Sequence, residues 1–378
     1  MALRDDLKTL ARLPRSTAPF LTAYLNARWD DEKQRERVRI FVKTQLKECL
    51  AEGAAGAPAD ASGVKEDAEK IENYVRGLVN REWDEDYAGV ALFACSELDV
   101  FHIVRSHLPF VDRFVCSDRP ILRPMAEQAH AGEPAVLAMV AGDAGRLVEF
   151  ELGGVRREFS FADEEFPGRH EQGGWSQGRY QRHVDDHLHR NLKRLAQHLV
   201  KWVDERRVAR VVLSGPDPLL AAFDEHLPKR LRGAVCARIH IDYNATSDAI
   251  QAAALGALTE ARQREDHEAV NVLLDKGLGT SRAVADPEEV AQAVAAGKVH
   301  VLYQDVGFSM AGWKCFQCKA LGVRVPLGCP VCGAPVEGVD LGEEFVRDTL
   351  AADGRFVSVQ GHAELQRRGG VAAALRYS

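Results

Sequence analysis

Four cysteines fall in two pairs, Cys315-Phe-Gln-Cys318 and Cys329-Pro-Val-Cys332, separated by ten residues. Each pair can turn two thiolates toward one ion, Gly328 and Gly333 permit tight turns, and four sulfurs complete a tetrahedral zinc shell. A filled shell has no position for water, so the zinc is expected to be structural, stabilising an insert with little core of its own. Four free thiols or two disulfides are the alternatives. A redox site fits poorly, because two such pairs at this separation imply mutual ligation.

A second chemical stretch is Gly173-Gly174-Trp175-Ser176-Gln177-Gly178. Paired glycines adopt backbone conformations closed to other residues and let the chain approach a ligand closely. Gln177 carries an amide able to orient a water, and Ser176 can hydrogen-bond within the loop. An apolar stripe follows at helical spacing, Tyr180, Val184, Leu188, Leu192, Leu195, Leu199 and Val203, with Arg179, Arg182, Arg190, Lys193 and Lys201 off it. Arginines in the first turn of a helix suit phosphate contact, and a solvated basic face is the plainer alternative.

His183 and His187 stand four apart on the same predicted helix. Val184 occupies the place where the zinc-protease pattern needs glutamate, so that reading fails. A two-histidine metal site, or histidines that are solvated or contact RNA, are the readings left open. Lys276-Gly-Leu-Gly-Thr-Ser281 lacks phosphate-loop spacing and reads as an ordinary turn.

These stretches sit in a chain of 378 residues, 46% hydrophobic, with a net charge of -7. That is material for two or three domains, and the acidity excludes a protein that coats nucleic acid indiscriminately. Yet Arg179 to Arg210 holds nine Lys/Arg against four Asp/Glu, leaving about -12 elsewhere by difference. A basic patch on an acidic body suits docking at one RNA site. No apolar run reaches membrane-span length and Met1 to Arg15 lacks a signal-like apolar region, so a cytoplasmic chain with no membrane partner is expected. Cys49, Cys95, Cys116 and Cys236 lie in apolar surroundings and read as reduced core thiols.

The elements that must position the two chemical stretches form three predicted domains. Residues 1–125 read as α+β: a helix over Leu3 to Leu13, a strand from Pro19 to Ala27, helices at Asp31 to Glu52 and Val64 to Asn80, then a hairpin. Pro120, Pro124 and Gly132 mark a boundary. In residues 126–264, three strands (Ala135 to Ala141, Arg146 to Leu152, Val155 to Phe161) form a meander ahead of the glycine loop. Alternating helices and strands follow, to Arg264, so a mixed sheet flanked by helices is expected. Residues 265–378 read as α/β, with helices at Val270 to Lys276 and Pro287 to Ala296, and the cysteine cluster as an insertion over 312–339.

The Gly173-Gly174-x-Ser176-Gln177 loop, after a three-stranded start and opening a basic helix, resembles that of the archaeo-eukaryotic release factor and Pelota superfamily, in the bacterial branch related to the eukaryotic ribosome quality-control peptidyl-tRNA hydrolase. The resemblance covers the whole chain in order. It implies an N-terminal α+β domain, a ribonuclease H-like middle domain, and a C-terminal α/β domain similar to a kink-turn-binding ribosomal protein with an inserted zinc ribbon at Cys315 to Cys332. It further implies that the loop enters the peptidyl-transferase centre of the large ribosomal subunit. There Gln177, assisted by Gly173, Gly174 and Ser176, would place a water on the ester joining peptide to tRNA. Arg179, Arg182, Arg190 and Lys193 would lie against ribosomal RNA phosphates.

Two departures stand out: Trp175 and Ser176 separate the glycine pair from Gln177, and no Asn-Ile-Lys-Ser stretch for stop-codon reading is present. The expected activity is therefore codon-independent peptidyl-tRNA hydrolysis by a monomer on stalled ribosomes or large subunits, with a translation elongation factor or a split subunit as the accessory partner. A non-catalytic hibernation factor in the A site and a tRNA 3′-end nuclease using Arg179, Arg182 or His183 are the rivals.

Overall fold

The computed structural model describes residues 2–29, 32–56, 61–80, 87–165, 177–206, 208–280 and 282–377. They form two compact units, Met1–His130 together with Glu265–Ser378, and Ala131–Arg264. The first unit begins with α1 (Ala2–Ala11), β1 (Phe20–Asn26), α2 (Glu32–Gly56), α3 (Ala61–Asn80), β2 (Gly89–Cys95), β3 (Val100–Ser106), β4 (Arg113–Ser117) and α4 (Arg123–Ala131). Its strands make an antiparallel sheet in the order β3-β2-β1-β4. β1 and β2 are apolar nearly throughout because both faces are covered. Leu21, Ala23, Leu25, Val90 and Leu92 pack with α2 and α3, while Phe20, Tyr24, Ala91 and Phe93 pack with Leu7 and Leu10 of α1 and Met125 of α4.

The second unit contains β5 (Ala135–Val140), β6 (Ala144–Glu151), β7 (Gly154–Ala162), α5 (Gln177–Arg206), β8 (Arg210–Ser214), α6 (Asp217–His226), α7 (Lys229–Ala234), β9 (Val235–Ile239) and the start of α8 (Ser247–Val272). The sheet order is β7-β6-β5-β8-β9, antiparallel from β5 to β7 and parallel from β5 to β9, which is the expected meander and mixed sheet. The alternation of side chains in β5 explains the layers. Val136, Ala138 and Val140 join Leu192, Leu195 and Leu199 of α5, whereas Ala135, Leu137 and Met139 join Ile250, Ala254 and Leu258 of α8.

The remainder of the first unit is β10 (Ala283–Val284), α9 (Pro287–Ala295), β11 (Val299–Asp305), β12 (Ala311–Lys314), β13 (Leu321–Gly322), β14 (Glu337–Asp340), α10 (Leu341–Ala351), β15 (Arg355–Val359), α11 (Ala363–Arg367) and β16 (Val371–Leu375). One sheet runs β10-β16-β11-β15; the cysteine insertion forms its own small sheet, β13-β12-β14. The early and late segments share one core, in which Phe20, Tyr24 and Met125 cluster with Val290, Phe345 and Phe356. A buried ion network completes the junction. Arg119 donates to Glu344 at 3.1 and 2.7 Å, Lys314 Nζ lies 2.7 Å from Glu344 and from Asp348, and the backbone N–H groups of Leu122 and Arg123 donate to Glu343. Burial pushes the Glu344 carboxyl up, but Lys314, Arg347 and Arg119 outweigh it and hold it below its ordinary value. Glu343, fully enclosed, is raised by burial.

Three expectations are corrected. Cys49 of α2 and Cys116 of β4 form a disulfide, so only Cys95 and Cys236 of the four scattered cysteines are free. No break separates a helix ending at Arg264 from another at Val270: α8 is continuous to Val272. Charged residues without glycine or proline do not interrupt a helix, and Ala254, Leu258 and Ala261 give this one a buried side. The stretch read only as a boundary contains α4, with Pro124 in its first turn, where a missing N–H is tolerated.

Candidate functional site

The four clustered cysteines do converge. Their sulfurs all lie within 4.8 Å of one another, with Cys315 to Cys332 and Cys318 to Cys329 at 3.5 Å. A tetrahedron with metal–sulfur bonds near 2.3 Å has edges of about 3.8 Å, so the four thiols fit an ion such as zinc. The two knuckles are built alike. Lys319 N donates to Cys315 O and Gly333 N to Cys329 O, both at 2.8 Å, and the turn-closing residues have φ of 64° (Lys319) and 76° (Gly333). Gly333 thus serves as expected, but Lys319, and not a glycine, takes the equivalent left-handed position in the first knuckle, and Gly328 is not among the positive-φ residues. Burial pushes the Cys329 thiol up, but the Cys332 and Val331 backbone N–H groups and neighbouring thiols outweigh it and bring it down to about 6.

The loop and its helix form the second site. Gly173, Gly174, Trp175 and Ser176 lie outside the described residues. Gln177 opens α5 as backbone; its side chain and that of Arg179 are outside the described set. From Arg182 onward the helix is fully defined. Leu192, Leu195 and Leu199 are buried, while Arg182, Arg190 and Lys193 are exposed. At 3.6 residues per turn, Arg182, Arg190, Lys193 and Lys201 fall within about 100° of arc, roughly opposite the buried stripe. Asp186 is the acid that interrupts this face near its start. Two other cations of α5 are occupied structurally: Arg194 stacks 4.3 Å over the Phe161 ring and Arg206 pairs with Glu149 at 3.1 Å.

The histidines of this helix separate. His183 is exposed, with its ring 4.7 Å from that of His187. His187 is 4% exposed and donates through Nδ1 to Asp163 Oδ2 at 2.8 Å. It is therefore neither solvated nor free to contact RNA, and among the described residues the cysteines alone group as metal ligands. Asn191, also 4% exposed, donates to the same Asp163 oxygen at 3.0 Å and to Gly142 O at 3.2 Å. The Asp163 carboxyl is held below its ordinary value, chiefly by the His187 hydrogen bond. Sequence reading missed Asp163 because its partners lie far along the chain; the one available signal was a polar His and Asn interrupting the buried side of an otherwise apolar stripe.

Two archaeal proteins are similar to this chain. Peptide chain release factor subunit 1 of Methanopyrus kandleri is 26% identical over 232 residues, covering 59% of this chain and 53% of that protein. The same factor from Thermococcus sibiricus is 24% identical over 346 residues, covering 76% and 79%. The chain thus spans about half the length of the Methanopyrus relative. The crystal structure of Archaeoglobus fulgidus Pelota is also similar, at 14% identity and a TM-score of 0.36, covering 74% of this chain and 76% of that one. Residues 120–263 match the family described as bacterial archaeo-eukaryotic release factor family 10, a span that includes both the glycine loop and α5.

Proposed function

We propose that this chain is a ribosome-binding peptidyl-tRNA hydrolase that frees nascent peptides from stalled ribosomes or large subunits. The observation that carries the reading is the exposed basic face of α5, set opposite its buried stripe on the helix that Gln177 opens. The face meets ribosomal RNA phosphates through Arg182, Arg190 and Lys193, with Arg179 nearer the loop. Gln177 places a water on the peptide–tRNA ester; Gly173 and Gly174 allow close backbone approach, and Ser176 supports the loop. This is catalysis by proximity and orientation, without a side-chain nucleophile.

The same reading treats residues 1–125, 126–264 and 265–378 as three domains: an N-terminal α+β domain, a ribonuclease H-like middle domain, and a kink-turn-binding ribosomal-protein-like domain with a zinc ribbon. The partners are the ribosome, tRNA and a translation elongation factor, and the chain acts as a monomer in the cytoplasm.

Peptide release from peptidyl-tRNA on ribosomes and on separated large subunits tests the activity. Wild type is expected to release peptide and Gln177→Ala to lose most of that rate; equal rates would remove the hydrolase reading. A second reading is favoured by Trp175 and Ser176, which separate the glycine pair from Gln177. It is a non-catalytic A-site hibernation factor, which binds ribosomes in sedimentation but releases nothing. Mapping tRNA 3′ ends in the same reactions separates both from a nuclease.

A further inference from the structure

The chain between β7 and α5 leads into the proposed water-positioning residue, Gln177, and one part-buried polar cluster joins its two flanks. Asp163 directly follows the last residue of β7. His187 and Asn191 lie on α5, ten and fourteen residues beyond Gln177, and both donate to Asp163 Oδ2. The other carboxylate oxygen accepts from Glu165 N at 3.2 Å, and the Asp163 backbone N–H donates to Asp143 O at 2.6 Å. Through Asn191 and Gly142 the turn between β5 and β6 enters the same cluster. One carboxylate therefore fixes a strand end, a neighbouring turn and a helix.

The choice of chemistry matters. Apolar contacts such as Leu192 and Leu195 against β5 hold the helix on the sheet, but they are non-directional and tolerate small rotations and slides. Hydrogen bonds to a half-buried carboxylate are directional, and they penalise any register in which the carboxylate loses a donor. The directional contacts lie in the half of α5 near Gln177, where a rotation of the helix would swing the residue it opens with. A shift of about 1 Å in a positioned group can lower a rate by about 100-fold.

We propose that the Asp163–His187–Asn191 cluster is the positioning element for Gln177, setting the axial and rotational register of the helix that presents it. This rests on the hydrolase reading. His187 and Asp163 are positioning residues that never touch the substrate.

The test compares His187→Phe, which keeps a ring and removes the donor, with His187→Asn, whose amide places an N–H near the position of Nδ1. Peptide release, ribosome binding, thermal unfolding and trypsin cleavage at Arg169 are measured for each. His187→Phe is expected to lower kcat about 30-fold with KM and ribosome binding within about twofold, and His187→Asn to return kcat to within about threefold of wild type. Unchanged kcat in His187→Phe, a change confined to KM, or no recovery in His187→Asn would overturn the proposal. If wild type and Gln177→Ala release peptide equally, the hydrolase reading falls, and with it the role assigned to Gln177. Cleavage at Arg169 then decides the clamp alone: about tenfold faster in His187→Phe but not His187→Asn supports it, and equal rates in all three proteins overturn it.

Discussion

His187 and Asp163 stand 24 residues apart in the chain and 2.8 Å apart in space, on opposite flanks of the segment that holds Gly173 to Ser176. A carboxylate can only accept, so the proton of this bond sits on Nδ1 of the imidazole. That bond makes the second unit sensitive to acid. Because the folded-state pKa of Asp163 lies below its unfolded value of about 3.9, its contribution is complete above that value and is lost as pH falls through the depressed pKa. Asp163→Asn should lower the melting temperature at pH 7 and approach wild type near pH 3. A melting difference that stays constant over this range would contradict the assignment.

A metal held by the four clustered cysteines predicts stoichiometry and proton competition. One ion per chain should be found by elemental analysis, and Cys318→Ser or strong chelators should release it. Trp313 is 4% exposed and packs with Cys315 and Cys329, so its fluorescence should shift to longer wavelength on release. Binding needs thiolates, so metal affinity should fall as pH drops. Metal retention unchanged in Cys318→Ser would refute a four-sulfur shell.

Glu344 is the hub of the buried ion network, 4% exposed and bonded to Arg119 and Lys314. Breaking one partner of such a cluster leaves the remaining charges uncompensated, and Arg119→Met should destabilise the first unit by about 3–5 kcal/mol in denaturant titrations. The Glu344 carboxylate is depressed, so its contribution is present above about pH 4.3 and lost as pH falls through its folded pKa. Glu343 works in the opposite direction, since its raised pKa makes ionisation unfavourable to the fold. Comparing wild type with Glu344→Gln across pH isolates the former.

Arg190 and Lys193 are exposed, so Arg190→Ala with Lys193→Ala should leave the melting temperature within about 1 °C. The same double variant should weaken ribosome binding and reduce the slope of log K against log salt by roughly 1.4–1.8, at 0.7–0.9 for each phosphate that is no longer neutralised. Arg194→Ala makes the reverse prediction. Its guanidinium stacks on Phe161, so stability should fall while the salt slope holds. Identical behaviour of the two variants would mean that the basic face is not a distinct surface.

What the sequence disclosed and what it concealed follow from the range of the interactions. The cysteine spacing and the β5 to β7 meander are local patterns, and Val136, Ala138 and Val140 against Leu192 and Leu195 realise the mixed sheet that those patterns imply. The partner of His187 is set by tertiary approach, which no spacing encodes. The same holds for Cys49 and Cys116, brought together from α2 and β4. Pro120 and Pro124 read as punctuation because proline usually ends elements, yet one of them lies in the first turn of α4. Residues 265–269 fall between two predicted helices, because composition alone does not distinguish a solvated helix face from a loop, whereas α8 runs through them. Gln177 is legible as a residue type at the start of α5, and the role proposed for it depends on a surface outside this chain.

Phe316 lies within the first cysteine pair, and two arginines from earlier in the chain rest on its ring, Arg15 at 4.2 Å and Arg119 at 4.8 Å. Arg15 also grips Glu337, just beyond the second knuckle, with two bonds of 2.6 Å. Ion capture and the seating of the chain's beginning are consequently coupled equilibria. A bound ion that orders Phe316 raises the affinity of its ring for Arg15 and Arg119, and by reciprocity those arginines tighten the ion. Loss of the ion should therefore register first as fraying around Arg15, at the far end of the sequence from the cysteine that released it.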